Sequence, residues 1–232
     1  MDTTKLKFSI IPGKTRFNSF DPKLHNQVYT FWKEFWTDLF EKNGAQPPRN
    51  YQFILQDYFN VLTFENDVVG FSSHLLIDLE SVADRDQEYL VDYFPEIFLS
   101  KLKERGVRYC MSIGNLTANA SYQGKQKGLS VGALLAALAT HLLSYCQADA
   151  LMGPTRTDNG MDQLFSVYGA VAETPEYDLF GTPCKGMVLY RENIKPNHKH
   201  NVNNLAIQLW NAREVFVDLE RVPNFGLDKK AG

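Results

Sequence analysis

The chain has 232 residues, a net charge of −3 and 44 % hydrophobic composition, so it can bury a substantial core within a single mixed domain. The mild acidic balance excludes the basic face of a nucleic-acid binder, and no apolar run approaches the roughly 18 residues that span a bilayer. Cys110, Cys146 and Cys184 are odd in number and widely spaced, which fits neither a disulfide framework nor a zinc pattern; with no signal peptide evident in MDTTKLKFSIIPG, a reducing cytoplasm is the expected location.

Taken in order, Phe8 to Ile11 reads as a short strand. Asp21-Pro22 then opens a helix that runs to Lys42, where Asn43-Gly44 stops it. Val28, Phe31, Trp32, Phe35, Trp36, Leu39 and Phe40 recur in it at helical spacing. After the Pro47-Pro48 loop, Phe53 to Phe64 and Val68 to Ile77 are β-rich. The Glu65-Asn66-Asp67 turn between them predicts an antiparallel pair. The acidic stretch Asp78, Glu80, Asp84, Asp86, Glu88 and Asp92 reads as a solvated face, or as a field that attracts a cationic amine. Pro95 to Arg105 is a predicted helix closed by Gly106. Val107 to Ala118 is one predicted strand, in which Cys110 is a buried, inert thiol. Leu129 to about Cys146 is a long apolar helix carrying His141 in a structural place. A strand near Ala150 to Gly153, a helix from Asp158 to Val167 and a late strand from Lys185 to Tyr190 follow. In the tail, Asn197 to Asn201 is a polar loop whose two histidines lack further metal ligands, so no metal site is expected. Val202 to Phe216 has helical spacing and packs on the domain or on a second subunit.

The segment carrying the most chemistry is Asn115 to Ala139. Its loop Tyr122-Gln123-Gly124-Lys125-Gln126-Lys127-Gly128 places backbone N–H groups, two lysines and two glycines at a helix start. Helix N-termini carry unpaired donors and a positive partial charge, and glycine lets a ligand approach the backbone. The loop therefore reads as an anion site for a phosphorylated cofactor, or as a plain soluble turn. This strand–loop–helix resembles the central motif of the GNAT superfamily of acyl-CoA N-acyltransferases, Arg/Gln-x-x-Gly-x-Gly/Ala. The matching residues are Lys125-x-x-Gly128-x-Ser130, with Lys and Ser at two anchor positions. The longer spacing from Tyr122 to Gly128 is similar to the branch of N-acyl amino acid synthases and acyl-homoserine-lactone synthases.

The resemblance implies a cofactor pyrophosphate held by Lys125, Gln126, Lys127, Gly128, Leu129 and Ser130, and a pantetheine arm along Leu116, Thr117 and Ala118. A second segment, Asp158 to Ala170, resembles Asn-x-x-Ala-x-x-Leu-Tyr-x-Lys-x-Gly-Phe, one residue short. There Asn159 fits the pantetheine-contacting Asn, Phe165 stands about where a Tyr protonates the leaving thiolate, and Tyr168 lies out of register. A short amphipathic helix capped at Asp158 and ended by Gly169 suits the same residues. Many relatives carry a Glu on the strand before the loop. This chain has Ser112 or Asn115 there, neither a strong base, so either a water ordered by both serves or the base comes from elsewhere.

The resemblance implies an α/β (α+β) GNAT-like fold, with a mostly antiparallel central sheet flanked by helices and a C-terminal helical extension. The expected domain is 1–195, with 196–232 as the extension. The implied activity is transfer of an acyl group from acetyl-CoA or a longer acyl-CoA, or from an acyl carrier protein, to a small-molecule amine. Ser112, Asn115 and Tyr168 are its catalytic candidates. The other function class is a catalytically idle acyl-CoA-binding or sensor protein. Neither class involves nucleic acid or a membrane, and a homodimer is compatible with both.

Overall fold

The computed structural model describes residues 2–14, 22–122, 129–146, 148–195 and 200–217. The chain order is β1 (Leu6–Pro12), α1 (Pro22–Lys42), α2 (Asn50–Ile54), β2 (Tyr58–Phe64), β3 (Asp67–His74), β4 (Leu76–Asp78), α3 (Val82–Arg85), α4 (Glu88–Tyr93) and α5 (Ile97–Glu104). It continues with β5 (Tyr109–Ser112), β6 (Gly114–Ala118), α6 (Val131–Cys146), β7 (Ala150–Arg156), α7 (Met161–Val167), β8 (Val171–Ala172), β9 (Tyr177–Leu179), β10 (Thr182–Tyr190), α8 (His200–Asn211) and β11 (Glu214–Val215). The expected mixed, mostly antiparallel architecture flanked by helices is the one adopted, with the strands distributed over two sheets. The chain divides into two compact units. One takes residues 1–75, 113–139 and 197–217; the other takes 76–112, 140–196 and 218–232.

The first unit holds the sheet β11-β1-β2-β3-β6, antiparallel except for the β1–β11 pair. Strand side chains alternate between faces. Phe59, Val61 and Phe71 therefore point to one side, where they pack with Val28 and Trp32 of α1 and with Phe53 of α2. The Phe53 and Phe59 rings stack at 4.4 Å. The start of α6 belongs to this unit, and β3 makes room for it at Gly70. A Cβ there would stand 2.7 Å from Val131 Cγ1 and 2.9 Å from the Thr117 carbonyl oxygen. The aromatic side of α1 is divided: Trp32 is buried, while Phe31, Phe35, Trp36 and Phe40 are half-buried.

The tail segment 202–216 docks on this same unit. The Trp210 ring of α8 lies 6.1 Å from that of Phe8, β11 pairs with Ser9 and Ile10, and the Phe216 N–H donates to the Ile10 carbonyl at 2.9 Å. The second unit holds the sheet β4-β5-β7-β10-β8, with β9 paired to β10. Here β5 and β7 run parallel, and Phe94 and Phe98 stack at 4.1 Å. The three cysteines are buried free thiols, as expected for Cys110. Among the described residues no helix is long and apolar enough to cross a membrane, and no cluster could hold a metal ion.

Four expectations need correction. Residues 53–57 are not strand: Asn50–Ile54 is a short helix, stabilised at its start by Arg49 N–H donating to Gln52 Oε1 at 3.1 Å, and it turns Phe53 into the core. Its aromatic composition suited either state. Val68 to Ile77 is not one strand, because β3 ends at His74 and β4 pairs with β5 in the other sheet. Val107 to Ala118 is likewise broken at Ile113, with β5 in one sheet and β6 in the other. Asp158 does not cap α7. It forms a two-pronged ion pair with Arg156 at 2.9 and 2.7 Å, and the helix begins after Gly160, whose φ of 76° suits glycine.

Candidate functional site

The residues singled out by the two motifs fall into both units. In the first, β6 ends at Ala118 and a turn at Ala120–Tyr122 follows. Lys125, Gln126, Lys127 and Gly128 lie outside the described residues. The segment resumes at Leu129, which is buried, and Ser130, which is exposed. Ser130 is the N-cap of α6: its Oγ accepts from Ala133 N–H at 3.2 Å, and its carbonyl accepts from Leu134 N–H at 3.0 Å. No acidic side chain stands in the first turn of α6. The first turn thus sets no negative charge against the positive end of the helix dipole, which suits an anion. Thr117 and Ala118 are buried and Leu116 is half-buried.

The other end of β6 is irregular. Its register against β3 shifts between Phe71 and Ser73, and Asn115 adopts a left-handed φ of 49°. Asparagine tolerates that conformation better than most side chains. Asn115 Nδ2 donates to Ser73 Oγ at 2.9 Å, and the Asn115 carbonyl accepts from Thr117 Oγ1 at 2.9 Å, so both ends of the residue are tied within the unit. Bulges of this kind re-aim backbone groups and are common beside active sites.

In the second unit, Ser112 ends β5 and is 1 % exposed. The buried hydroxyl of Tyr89 lies beside it, and burial, with Tyr177 and Tyr93 nearby, holds that phenol above its ordinary pKa. Asn159 is exposed, and its Oδ1 accepts from Met161 N–H at 3.2 Å. Tyr168 is 2 % exposed and follows the last turn of α7, its carbonyl accepting from Lys195 N–H at 2.8 Å. Phe165 is buried core. His141 is held below its ordinary pKa by burial. The Cys184 thiol is pushed up to about 11 by burial, so it is not a ready nucleophile.

Two features were not singled out from the sequence. One is a cleft of about 870 Å³ in the first unit, lined by a polar stripe of α1 (Lys23, Gln27, Thr30 and Glu34), by Phe31 and by Asp67 and Tyr122. The 4-3-4 spacing of that stripe is a sequence signal for a polar face. The other is a buried polar row on β2 and β3: Tyr58, Asn60, Ser72 and His74. Its signal is the run Ser72-Ser73-His74 inside an otherwise apolar predicted strand.

No protein-family model matches the chain, and no curated protein matches its sequence. Its architecture nevertheless has solved counterparts. A CoA-dependent acyl-homoserine lactone synthase, BjaI, described with SAM and isopentyl-CoA, is similar at TM-score 0.59 and 8 % identity, over 94 % of this chain and 98 % of that one. FeeM, an N-acyl amino acid synthase from uncultured soil microbes, is similar at TM-score 0.54 and 11 % identity, over 81 % and 92 % of the two chains. An acyl-CoA N-acyltransferase from Pseudomonas aeruginosa follows at TM-score 0.51 and 12 % identity, over 78 % and 98 %. The fold is the GNAT-like fold of these neighbours.

Proposed function

We propose that the protein is an N-acyltransferase that moves an acyl group from acetyl-CoA or a longer acyl-CoA to the amine of a small molecule. The observation that carries this reading is the passage from the irregular strand β6 to the capped, acid-free N-terminus of α6 within a GNAT fold. In it, Lys125 to Ser130 hold the cofactor phosphates, Leu116 to Ala118 and Asn159 border the pantetheine arm, and Ser112, Asn115 and Tyr168 serve the reacting groups. An acyl carrier protein is the second donor to try.

A specific observation favours the idle acyl-CoA binder as the other reading. No carboxylate occurs between Tyr109 and Ala118, and Ser112 and Tyr168 are almost fully buried. Cofactor binding tests what the two readings share, and turnover separates them. Acetyl-CoA should raise the melting temperature in either case, because a ligand bound only by the native state stabilises it. Gly128→Val should abolish that shift. Release of free CoA thiol with a panel of amines occurs only if the first reading holds; binding without turnover on any amine leaves the second.

A further inference from the structure

Asn60 sits in the middle of β2, fully buried, and among the described residues neither its amide nitrogen nor its amide oxygen has a hydrogen-bond partner. A buried amide left unsatisfied at both ends carries a large desolvation cost, and a fold keeps such a group where it binds a water or a ligand, or where it does chemistry. Phe59 and Val61 point toward α1, so by strand alternation Asn60 points to the opposite face of the sheet. On that face Ser72 is its direct cross-strand partner, and Tyr58 is partnered with His74. His74 Nε2 lies 3.0 Å from Ser72 Oγ, and the Tyr58 ring stands 5.7 Å from the imidazole. Tyr58, Asn60, Ser72 and His74 are all buried. A hydroxyl and an imidazole at this distance can pass a proton, and an amide with two free ends can hold the water that delivers it.

The row also has a direction. Gly70, which bears the start of α6, lies on the same face, followed along β3 by Ser72 and His74. β3 and β6 are antiparallel, so His74 lies toward the Gly114 end of β6 and Gly70 is partnered with Ala118. From Ala118 to Gly114 the strand spans about 13 Å at 3.3 Å per residue. On the acyltransferase reading, on which this inference rests, phosphates held at the start of α6 leave the thioester toward the Gly114 end.

We propose that Asn60, Ser72 and His74 are the proton-accepting site of the acyl transfer. The amine nitrogen bonds to the thioester carbonyl carbon, and the carbon–sulfur bond breaks to release the CoA thiolate. The proton lost by the nitrogen passes to a water held on Asn60 Oδ1. That water protonates Ser72 Oγ, whose own proton moves to His74 Nε2. As products leave, His74 returns its proton to solvent and the thiolate takes one up.

The test compares wild type, Asn60→Leu and His74→Gln in melting temperature, acetyl-CoA affinity and turnover over the amine panel. Leucine removes the unsatisfied amide at similar size, so Asn60→Leu should melt no lower than wild type. Glutamine keeps a hydrogen bond to Ser72 but cannot take a proton. His74→Gln should lose about 100-fold or more in kcat with KM for acyl-CoA unchanged. If Asn60→Leu fails to fold, the His74→Gln result decides. A His74→Gln enzyme within about threefold of the wild-type kcat overturns the relay and leaves the acyltransferase reading standing. A wild type that binds acetyl-CoA without turning over any amine overturns both.

Discussion

At the scale of single residues, Gly70 shows how close backbone approach constrains the site. α6 begins directly above it, and any Cβ meets Val131, Leu135 and the Thr117 carbonyl oxygen. The carbonyl is backbone and cannot rotate away. Gly70→Val should therefore destabilise the protein by about 2–3 kcal/mol, as overpacking does when neighbours cannot relax. Urea denaturation reads this as a lower midpoint at unchanged slope; an unshifted midpoint would mean that α6 lifts without penalty. His141 supplies a pH test. Burial depresses its pKa from the ordinary 6.5. The unfolded chain then takes up the proton first, so stability is full above pH 6.5 and falls as the pH drops through that value toward the folded pKa. His141→Gln should flatten this acid-side loss below pH 6.5, with the neutral-pH midpoint as the reference. Neither Asn60 nor His74 could be singled out along the chain, because their meaning depends on strand register. Asn60 is one polar residue among apolar ones until β3 places Ser72 opposite it.

At the scale of elements, the strands that position the site are the ones that change sheet. Residues 68–77 and 107–118 each look continuous, since both halves are β-prone and apolar. Yet Leu75 and Ile113 mark where the pairing passes from one sheet to the other. Propensity reports that a residue suits a pleated, half-buried surface, and it carries no information about which neighbour completes the ladder. The tail makes the same point in reverse. α8 was legible from its spacing, whereas the two-residue β11 was not, because so short a strand exists only by virtue of β1. That strand has a protective role. β1 is buried along its length except at Lys7, and without β11 its outer edge would present unpaired backbone groups. Deleting residues from 212 onward should leave α8 in place and produce self-association, visible in light scattering as species larger than wild type forms. A truncated protein with the wild-type scattering profile would show that the edge is blunted by other means.

At the scale of the molecule, each unit is assembled from segments distant in sequence. The first takes three pieces of chain, and α6 contributes its first half to one unit and its second half to the other. The fold is shared at only 8–12 % identity with the three synthases and transferases described above, and the proposed acyl-CoA donor awaits a binding test. The aromatic side of α1 bears on which acyl chain. Trp32 belongs to the core, stacked on Tyr29 at 6.0 Å, whereas Phe31 borders the open cleft of the first unit. If such a surface accepts the chain, each buried methylene adds about 0.8 kcal/mol, and four extra carbons should tighten binding by roughly two orders of magnitude. A calorimetric series of acyl-CoA esters, from acetyl through dodecanoyl, measures this directly. Affinity that is flat or falls with length assigns the whole aromatic side to packing.

What the sequence determined by itself is local. Helix periodicity placed α1 and α8, Pro95 and Gly106 bounded α5, an apolar run marked α6, the Glu65-Asn66 turn placed the β2–β3 hairpin, and the strand–Gly/Lys loop–helix order around Ser130 pointed to the GNAT fold. These signals are short-range: 3.6-residue spacing, turn chemistry and capping act within a few residues of chain and are written there. Tertiary structure decided the rest. It gave Phe53 to a helix, split two apparent strands between sheets, engaged Asn115 with Ser73, paired Asp158 with Arg156 and buried Asn60 without a partner. Each of these depends on which distant backbone supplies the neighbouring hydrogen bonds, and that is settled only when the sheets close and water leaves the space between them.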